Sequence, residues 1–450
     1  MQDRIVLLGI GSANLFAALY LADRGYPPSL ITLIDAGGEP ATRTSMLKGF
    51  AGAGLKSDGK FVFSLHQDPL STHMGNDEKV EYHKFIQRTM EKYITIDPTG
   101  VSVPTPDDEL KSAMCSMDDG WEAQGMDLLQ STVWHIGTDT ELVMACAMYE
   151  DMLNMGMNIL LHHDAKEIDF ATRTITCKTK QGMVDVQYDY LQIGIGKSGV
   201  QFVEQLVEKY SIPINHGYAN VGGRFETKCN PTIQKFADDV QYDFKFYKEY
   251  ILPTSGIKIG VRTFCTCNYS AYVMEEGIEA TRTYNGHAYG KNHEKVNGMT
   301  NFGVIARVHG VDALALHREI LAQHGKGGCA VRGQYWDGES TIEKVADEIT
   351  WLDMADLWGK AGEKDNIGRE IVFAIRKFIS YLNDLLDIRG NYSYYIPEIK
   401  MAAGVIITNS DYSMANGAYP EITWVGDSCT GSVGIVPAAM TGIRGIERHV

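Results

Sequence analysis

Two short glycine turns carry the spacing that anion chemistry requires. Gly9-Ile10-Gly11-Ser12-Ala13-Asn14 follows the apolar run Ile5-Val6-Leu7-Leu8, and the next apolar run, Leu30-Ile31-Thr32-Leu33-Ile34, closes on Asp35 and Ala36. Such a turn needs one glycine to reverse tightly. It needs a second so that the backbone can approach a diphosphate seated on the following helix N-terminus. Gly9 and Gly11 fill those positions, and Asn14 stands where a third glycine is usual. That departure predicts looser helix–strand packing. Asp35 lies about where an acid takes a ribose hydroxyl.

The second turn, Gly194-Ile195-Gly196-Lys197-Ser198-Gly199, follows the strand-like Tyr190-Leu191-Gln192-Ile193 and has complete spacing for a nicotinamide dinucleotide. The segment after it, 212–217, gives no strand ending in an acid. The better reading returns this strand to the first sheet, with Gly194 and Gly196 passing close to the same cofactor. Near the C-terminus, Ile422-Thr423-Trp424-Val425 leads into Gly426-Asp427, and a final helix opens near Gly434-Ile435. Asp427 is placed for the ribityl or diphosphate region of a flavin, and the helix dipole would favour negative charge on a reduced ring. The joint expectation is FAD, held by Gly9, Gly11, Ser12, Ala13, Asn14, Asp35, Ala36, Gly54, Lys60, Gly194, Gly196, Gly426, Asp427, Gly434 and Ile435. The alternative is a Rossmann-like unit without a ligand.

Catalytic candidates are fewer. Lys60, in a Gly-rich loop over 41–60, could bridge a phosphate or sit near the flavin, or be a solvated loop lysine. Cys265 and Cys267 would share one face of a strand with Cα atoms roughly 6.5 to 7 Å apart, at the upper limit for a disulfide. Arg262 and Arg224 could each clamp a carboxylate or phosphate, or pair internally, Arg224 with Glu226. His287, after an Asn285-Gly286 turn, could act as a general base. Cys429 could lie near the flavin pyrimidine edge or simply pack. No residue set has metal-ligand spacing.

The remaining sequence must position these groups. The 450 residues allow two or three domains, and 44% hydrophobic content is ordinary for a globular protein. With 41 Lys plus Arg against 57 Asp plus Glu, the net charge of −16 disfavours a non-specific grip on nucleic acid. No apolar run reaches the roughly 20 residues a bilayer requires. Eight scattered cysteines without Cys-x-x-Cys, and an N-terminus that opens into a strand, lead us to expect a cytoplasmic location. Helices are predicted over 79–93, 140–156 and 200–210, strands over 158–195 and 215–310, with turns at Gly222-Gly223, Asn285-Gly286 and Asn297-Gly298. Residues 312–385 read as mostly helical. The fold class expected is α/β: a Rossmann-like FAD domain of glutathione-reductase type over 1–200 and 401–450. It would carry a helical insertion at about 67–125 and an α+β substrate domain over 201–400.

Several blocks match a known pattern in order. They are Gly9 to Asn14, Gly49-Phe50-Ala51-Gly52-Ala53-Gly54 with Ser57-Asp58-Gly59-Lys60, His135-Ile136-Gly137-Thr138-Asp139, and Gly194 to Gly199. Gly222 to Glu226, Val261-Arg262-Thr263-Phe264-Cys265-Thr266-Cys267, Asn285-Gly286-His287, Thr300-Asn301-Phe302 and Gly426-Asp427 follow. Over nearly its full length the chain resembles the uncharacterised FAD-dependent dehydrogenases with a glutathione-reductase-like FAD domain. The resemblance implies FAD and redox chemistry and supplies no substrate. The resulting expectation is an oxidoreductase taking a hydride from a small amine, amino-acid-like or C–C substrate and passing electrons to oxygen or NAD(P)H. Its rivals are an NAD(P)H-dependent flavin reductase, a flavoenzyme modifying a nucleic-acid base, and a non-catalytic flavin-binding scaffold.

Overall fold

The structure is a computed structural model. It describes residues 2–54, 57–64, 73–94, 126–128, 132–215, 218–278, 281–290, 293–336, 341–342, 347–362, 367–400, 405–415, 417–431 and 434–450. Most of the insertion expected at 67–125, including Cys115, lies outside these residues. The elements that carry the site begin with β1 (Ile5–Leu8), α1 (Ser12–Asp23), β2 (Ile31–Ile34), α2 (Asn76–Tyr93) and α3 (Gly137–Asn154). Next come β3 (Asn158–Leu160), β4 (Tyr190–Ile193), β5 (Tyr218–Lys228), β6 (Phe246–Ile251) and β7 (Lys258–Cys267). Then follow β8 (Ala271–Ile278), β9 (Thr281–Ala288), β10 (Met299–His309), α4 (Ala313–His324), α5 (Trp351–Trp358) and α6 (Ile367–Leu385). The chain closes with β11 (Tyr392–Lys400), β12 (Ile422–Trp424) and α7 (Ile435–Ile446).

Two compact units result. The first gathers residues 1–101, 138–215 and 402–450, and the second 102–137 and 216–401. In the first, five parallel strands run in the order β12-β4-β1-β2-β3. β1 is Ile-Val-Leu-Leu with every residue buried, the continuous apolar run of a parallel strand covered on both faces. β4 breaks that pattern with Gln192, which is fully buried.

Gln192 is affordable because its amide is satisfied. Its Nε2 donates to Asn14 Oδ1 at 3.0 Å and to Gly442 O at 3.1 Å, and its Oε1 accepts from Thr423 Oγ1 at 3.1 Å. Asn14 Nδ2 in turn donates to Leu8 O at 2.9 Å and Gly9 O at 2.8 Å. This overturns the expectation of loose packing at the third turn position. Asn14 is fully buried and bonds the strand that a glycine would only have touched. Close helix packing is supplied by Gly442 of α7 instead, where a Cβ would lie 1.9 Å from Ala13 O.

In the second unit, eight strands run in the order Asp347–Ile349, Cys329–Arg332, β11, β5, β10, β7, β6, Asp127–Leu128. One face is apolar: Val221, Phe225, Val261, Phe302 and Val304 pack with Ile371, Ile375, Phe378 and Leu382 of α6. Those α6 positions recur every three or four residues, as a single buried stripe requires. Two expected turns are strand interior here. Gly222-Gly223 lies within β5 and Asn285-Gly286 within β9, which pairs with β8 in full register. A Cβ at Gly286 would meet Asn301 Oδ1 at 2.0 Å, so this glycine serves close approach, not chain reversal. Asn297-Gly298 does turn, with Gly298 at φ +69°.

Replacing Asn14 with Ala removes the Asn14 bond to Gly9 O and one of two bonds each at Leu8 O and Gln192 Nε2, all of them buried. We expect a loss of about 2–3 kcal/mol, the cost of buried polar groups without hydrogen bonds. Adding Gln192→Leu should recover part of it, measured as a double-mutant cycle in urea unfolding.

Candidate functional site

The chain leaves β1 toward β2 and β3 on one side of the first sheet and returns as β4 and β12 on the other. The crevice at the C-terminal ends of β1 and β4 is therefore a topological switch point, where open α/β sheets take ligands. Gly9 has φ +88°, and a Cβ there would lie 2.6 Å from Gly194 O. The two glycine turns are thus in contact at this edge. Gly196 also has positive φ, +58°, and a Cβ on it would come 3.9 Å from Asp427 Oδ1.

Two helix N-termini converge on the loop after β2. Gly11 heads α1 and Gly434 heads α7, and no side chain caps either helix. A Cβ at Gly54 would lie 3.2 Å from Ser12 Oγ and 3.9 Å from Ile435 Cγ1, the first residues of those two helices. A Cβ at Gly52 would lie 2.8 Å from Gly11 Cα. Backbone N–H groups and two positive dipole ends therefore share a small space that the loop lines with glycine.

Charge in this region is met by backbone hydrogen bonds and a buried ion pair. Asp35 Oδ2 accepts from Ile10 N at 2.9 Å, and Oδ1 accepts from Gly37 N at 2.8 Å and Gly49 N at 2.6 Å. Its side chain fastens the loop to the turn, with Ala36 half-buried beside it. Arg43, passed over in the sequence, is buried and donates to the carbonyls of Ser45, Met46, Phe50 and Gly52. Burial holds its guanidinium down to about 10 against the pull of Asp35 and Glu141. Lys60 is no solvated loop residue: its Nζ lies 2.6 Å from Asp58 Oδ2 in a buried ion pair.

Glu141 was also missed. It sits on α3, 3% exposed, with Oε1 3.6 Å from a Cβ at Gly54 and Oε2 accepting from Ser57 Oγ at 3.0 Å. Burial pushes its carboxyl well above the usual range, and the nearby Asp58 adds to the rise. The only sequence signal was its nearness to the block His135 to Asp139, because its partners Ser57 and Gly54 lie over 80 residues away.

The second unit holds the other candidates. Arg224 is fully buried; Nη2 bonds Glu398 Oε1 at 2.7 Å and Asn285 Oδ1 at 2.9 Å, and Nη1 bonds Cys265 O at 2.9 Å. Its guanidinium pairs internally, and its carboxylate partner is Glu398, not Glu226. Glu226 instead accepts from Tyr395 at 2.6 Å and from Thr341. Cys265 and Cys267 do not follow strand alternation. β7 shifts register between Phe264 and Cys267, and Cys265 has φ +54°. The Cys267 thiol donates to Cys265 O at 3.6 Å. His287 is buried within β9, its ring 5.6 Å from that of Tyr272 and nearly parallel, and follows no turn. Cys429 is fully buried in the short helix Asp427–Thr430. Arg262 is half-buried on β7, its guanidinium 5.0 Å from the Phe264 ring. Among the described residues no group of His, Cys, Asp and Glu could hold a metal, and no helix is long and apolar enough to cross a membrane.

No family model matches the chain, and no curated protein matches it. Among solved structures it is similar to a flavoprotein/dehydrogenase from Cytophaga hutchinsonii, at 8% identity and TM-score 0.41, covering 100% of this chain and 78% of that one. Glycine oxidase from Bacillus cereus gives 10% identity and TM-score 0.41, covering 100% and 95%. A modified fructosyl peptide oxidase from Aspergillus nidulans gives 11% and 0.36, covering 100% and 91%. Likeness at this distance transfers no residue role and no substrate.

The raised Glu141 carboxyl makes a pH prediction. The unfolded chain releases this proton near the ordinary carboxylate value of about 4.3, the folded chain only at higher pH. Stability from this group is present below the unfolded value and is lost as pH rises toward the folded one. Glu141→Gln should therefore gain stability over the parent between pH 5 and pH 8, read from urea midpoints at both values. A gap that does not widen would mean the carboxyl is ionised in the fold.

Proposed function

We propose that the first unit binds FAD and that the chain is an FAD-dependent oxidoreductase of glutathione-reductase-like FAD architecture. One observation carries this reading: two helix N-termini without side-chain caps, on α1 and α7, meet a glycine-lined loop at the switch point of a parallel sheet. A dinucleotide diphosphate offers the charge that such paired ends favour. The N–H groups of Gly11, Ser12 and Ala13 would take its oxygens, and Gly52 and Gly54 leave room for it. When bound, the flavin supplies two-electron hydride chemistry.

The protein's own residues then have defined tasks. Asp35 and Arg43 hold the loop 43–52 against the turn through backbone hydrogen bonds. Burial raises the Glu141 carboxyl and so favours its uncharged form beside a diphosphate. Asp427 stands at the second glycine turn, where its carboxylate can order a ribityl hydroxyl. A small organic substrate would give up its hydride, with oxygen or a nicotinamide as acceptor.

Gly11 permits a sharp test. Its φ is −85°, and a Cβ would approach nothing nearer than Gly194 O at 4.0 Å, so a side chain fits. Asp at this cap position should leave the flavin-free protein as stable as before or slightly more so, while its carboxylate occupies the diphosphate seat. We expect the parent to show a two-banded yellow spectrum, with FAD released on heating. Gly11→Asp should be folded and colourless, with FAD affinity down at least a hundredfold. A colourless parent that ignores added FAD, or an undiminished affinity in the variant, would overturn the reading.

A further inference from the structure

The second unit's sheet has one apolar face and one polar face, and the polar face carries cations in excess. Strand side chains alternate, so Val221, Val261, Ala306 and Ile399 enter the core while their neighbours face away from it. In register, Asn220 of β5 stands opposite Lys400 of β11 on one side and Arg307 of β10 on the other. Arg262 of β7 stands opposite Ile305 and is thus diagonal to Arg307, a separation of about 7–8 Å that long side chains span.

Aromatic rings hold these cations in place. The Phe264 ring lies 5.0 Å from the Arg262 guanidinium and 5.5 Å from Lys400 Nζ. Arg307 lies 4.1 Å over the Tyr218 ring, with Nε 3.5 Å from Asn220 Oδ1.

Carboxylates do not balance them. Glu398 Oε1 is shared by Arg224 at 2.7 Å and Lys400 at 3.1 Å. Two cations, Arg224 and Lys400, thus share one carboxylate, and among the described residues neither Arg262 nor Arg307 forms an ion pair. Asp243, which also pulls on Arg262, is paired with Lys245 at 3.1 Å. Among the described residues none gives Arg262 an ion pair, and its buried Nε has no hydrogen-bond partner. Burial and the like charge of Arg307 hold Arg262 down to about 10.

We infer that the face formed by Arg262, Arg307 and Lys400 binds a substrate carrying two or more negative charges, a polycarboxylate or a phosphate monoester. Arg262 and Arg307 take the anionic group with their planar forks, Asn220 orients it, and Phe264 and Tyr218 wall it. A zwitterionic amino acid fits poorly, because Arg262, Arg307 and Lys400 repel its ammonium group. The inference narrows the substrate of the proposed oxidoreductase and rests on that reading for the word substrate alone.

Calorimetric titration of the full chain with tricarballylate, glycerol phosphate and glycine tests it without turnover. We expect at least one of the two polyanions to bind, the tighter one identifying the source, with affinity falling as salt rises and with glycine inert. Arg262→Gln should weaken the polyanion at least tenfold, leave the flavin spectrum unchanged, and give a urea midpoint equal to or above the parent's, since a like-charge contact is removed. Arg307→Gln should behave in the same way. Absence of polyanion binding, equal affinity in both variants, or a lowered midpoint in both would overturn the inference. A parent without flavin that still binds the polyanion would overturn the proposed function and leave this site standing.

Discussion

The hydrogen-bonded pair Asn14–Gln192 is the constraint on which the first unit depends. One amide comes from the first turn of α1 and the other from the middle of β4, and both are fully buried. Through them the β1 turn carbonyls, Thr423 of β12 and Gly442 of α7 are tied to one another. Tyr190 extends the same network to Thr423 and Gly445 O. In a low-dielectric interior each of these groups is costly alone and satisfied together. Their joint satisfaction fixes where α1 begins relative to α7, and that placement creates the convergence of helix ends.

Around this point the protein keeps its own charges from competing with an incoming anion. Asp35 spends its carboxylate on three N–H groups, Lys60 is matched by Asp58, and burial pushes the Glu141 carboxyl up. The dipole ends remain as fixed positive features, and Arg43 has its donors occupied by backbone carbonyls. The second unit follows the opposite economy on its polar face. There Arg224 is neutralised and Arg262 is not, so the two arginines that look alike in sequence have different chemistry.

Much of the architecture was legible because it follows local rules. The run from β1 through α1 to β2 shows as a buried apolar strand, a glycine turn and an acid at the right distance. The helices expected over 79–93, 140–156 and 200–210 match α2, α3 and Val200–Tyr210 to within a few residues. Glycine pairs were misleading where neighbours decide. Gly222 and Gly286 admit close approach of a strand and of Asn301 inside sheets, which reads in sequence as chain reversal.

By itself, then, the sequence determined which segments become strands and where backbone must approach without side chains, because those properties are set by residues within a turn or two. Tertiary structure alone decided the upward shift of the Glu141 carboxyl, the partner of Arg224 and the absence of an ion pair at Arg262 among the described residues. Each depends on burial and on charges brought from distant strands, and neither quantity exists until the chain has folded.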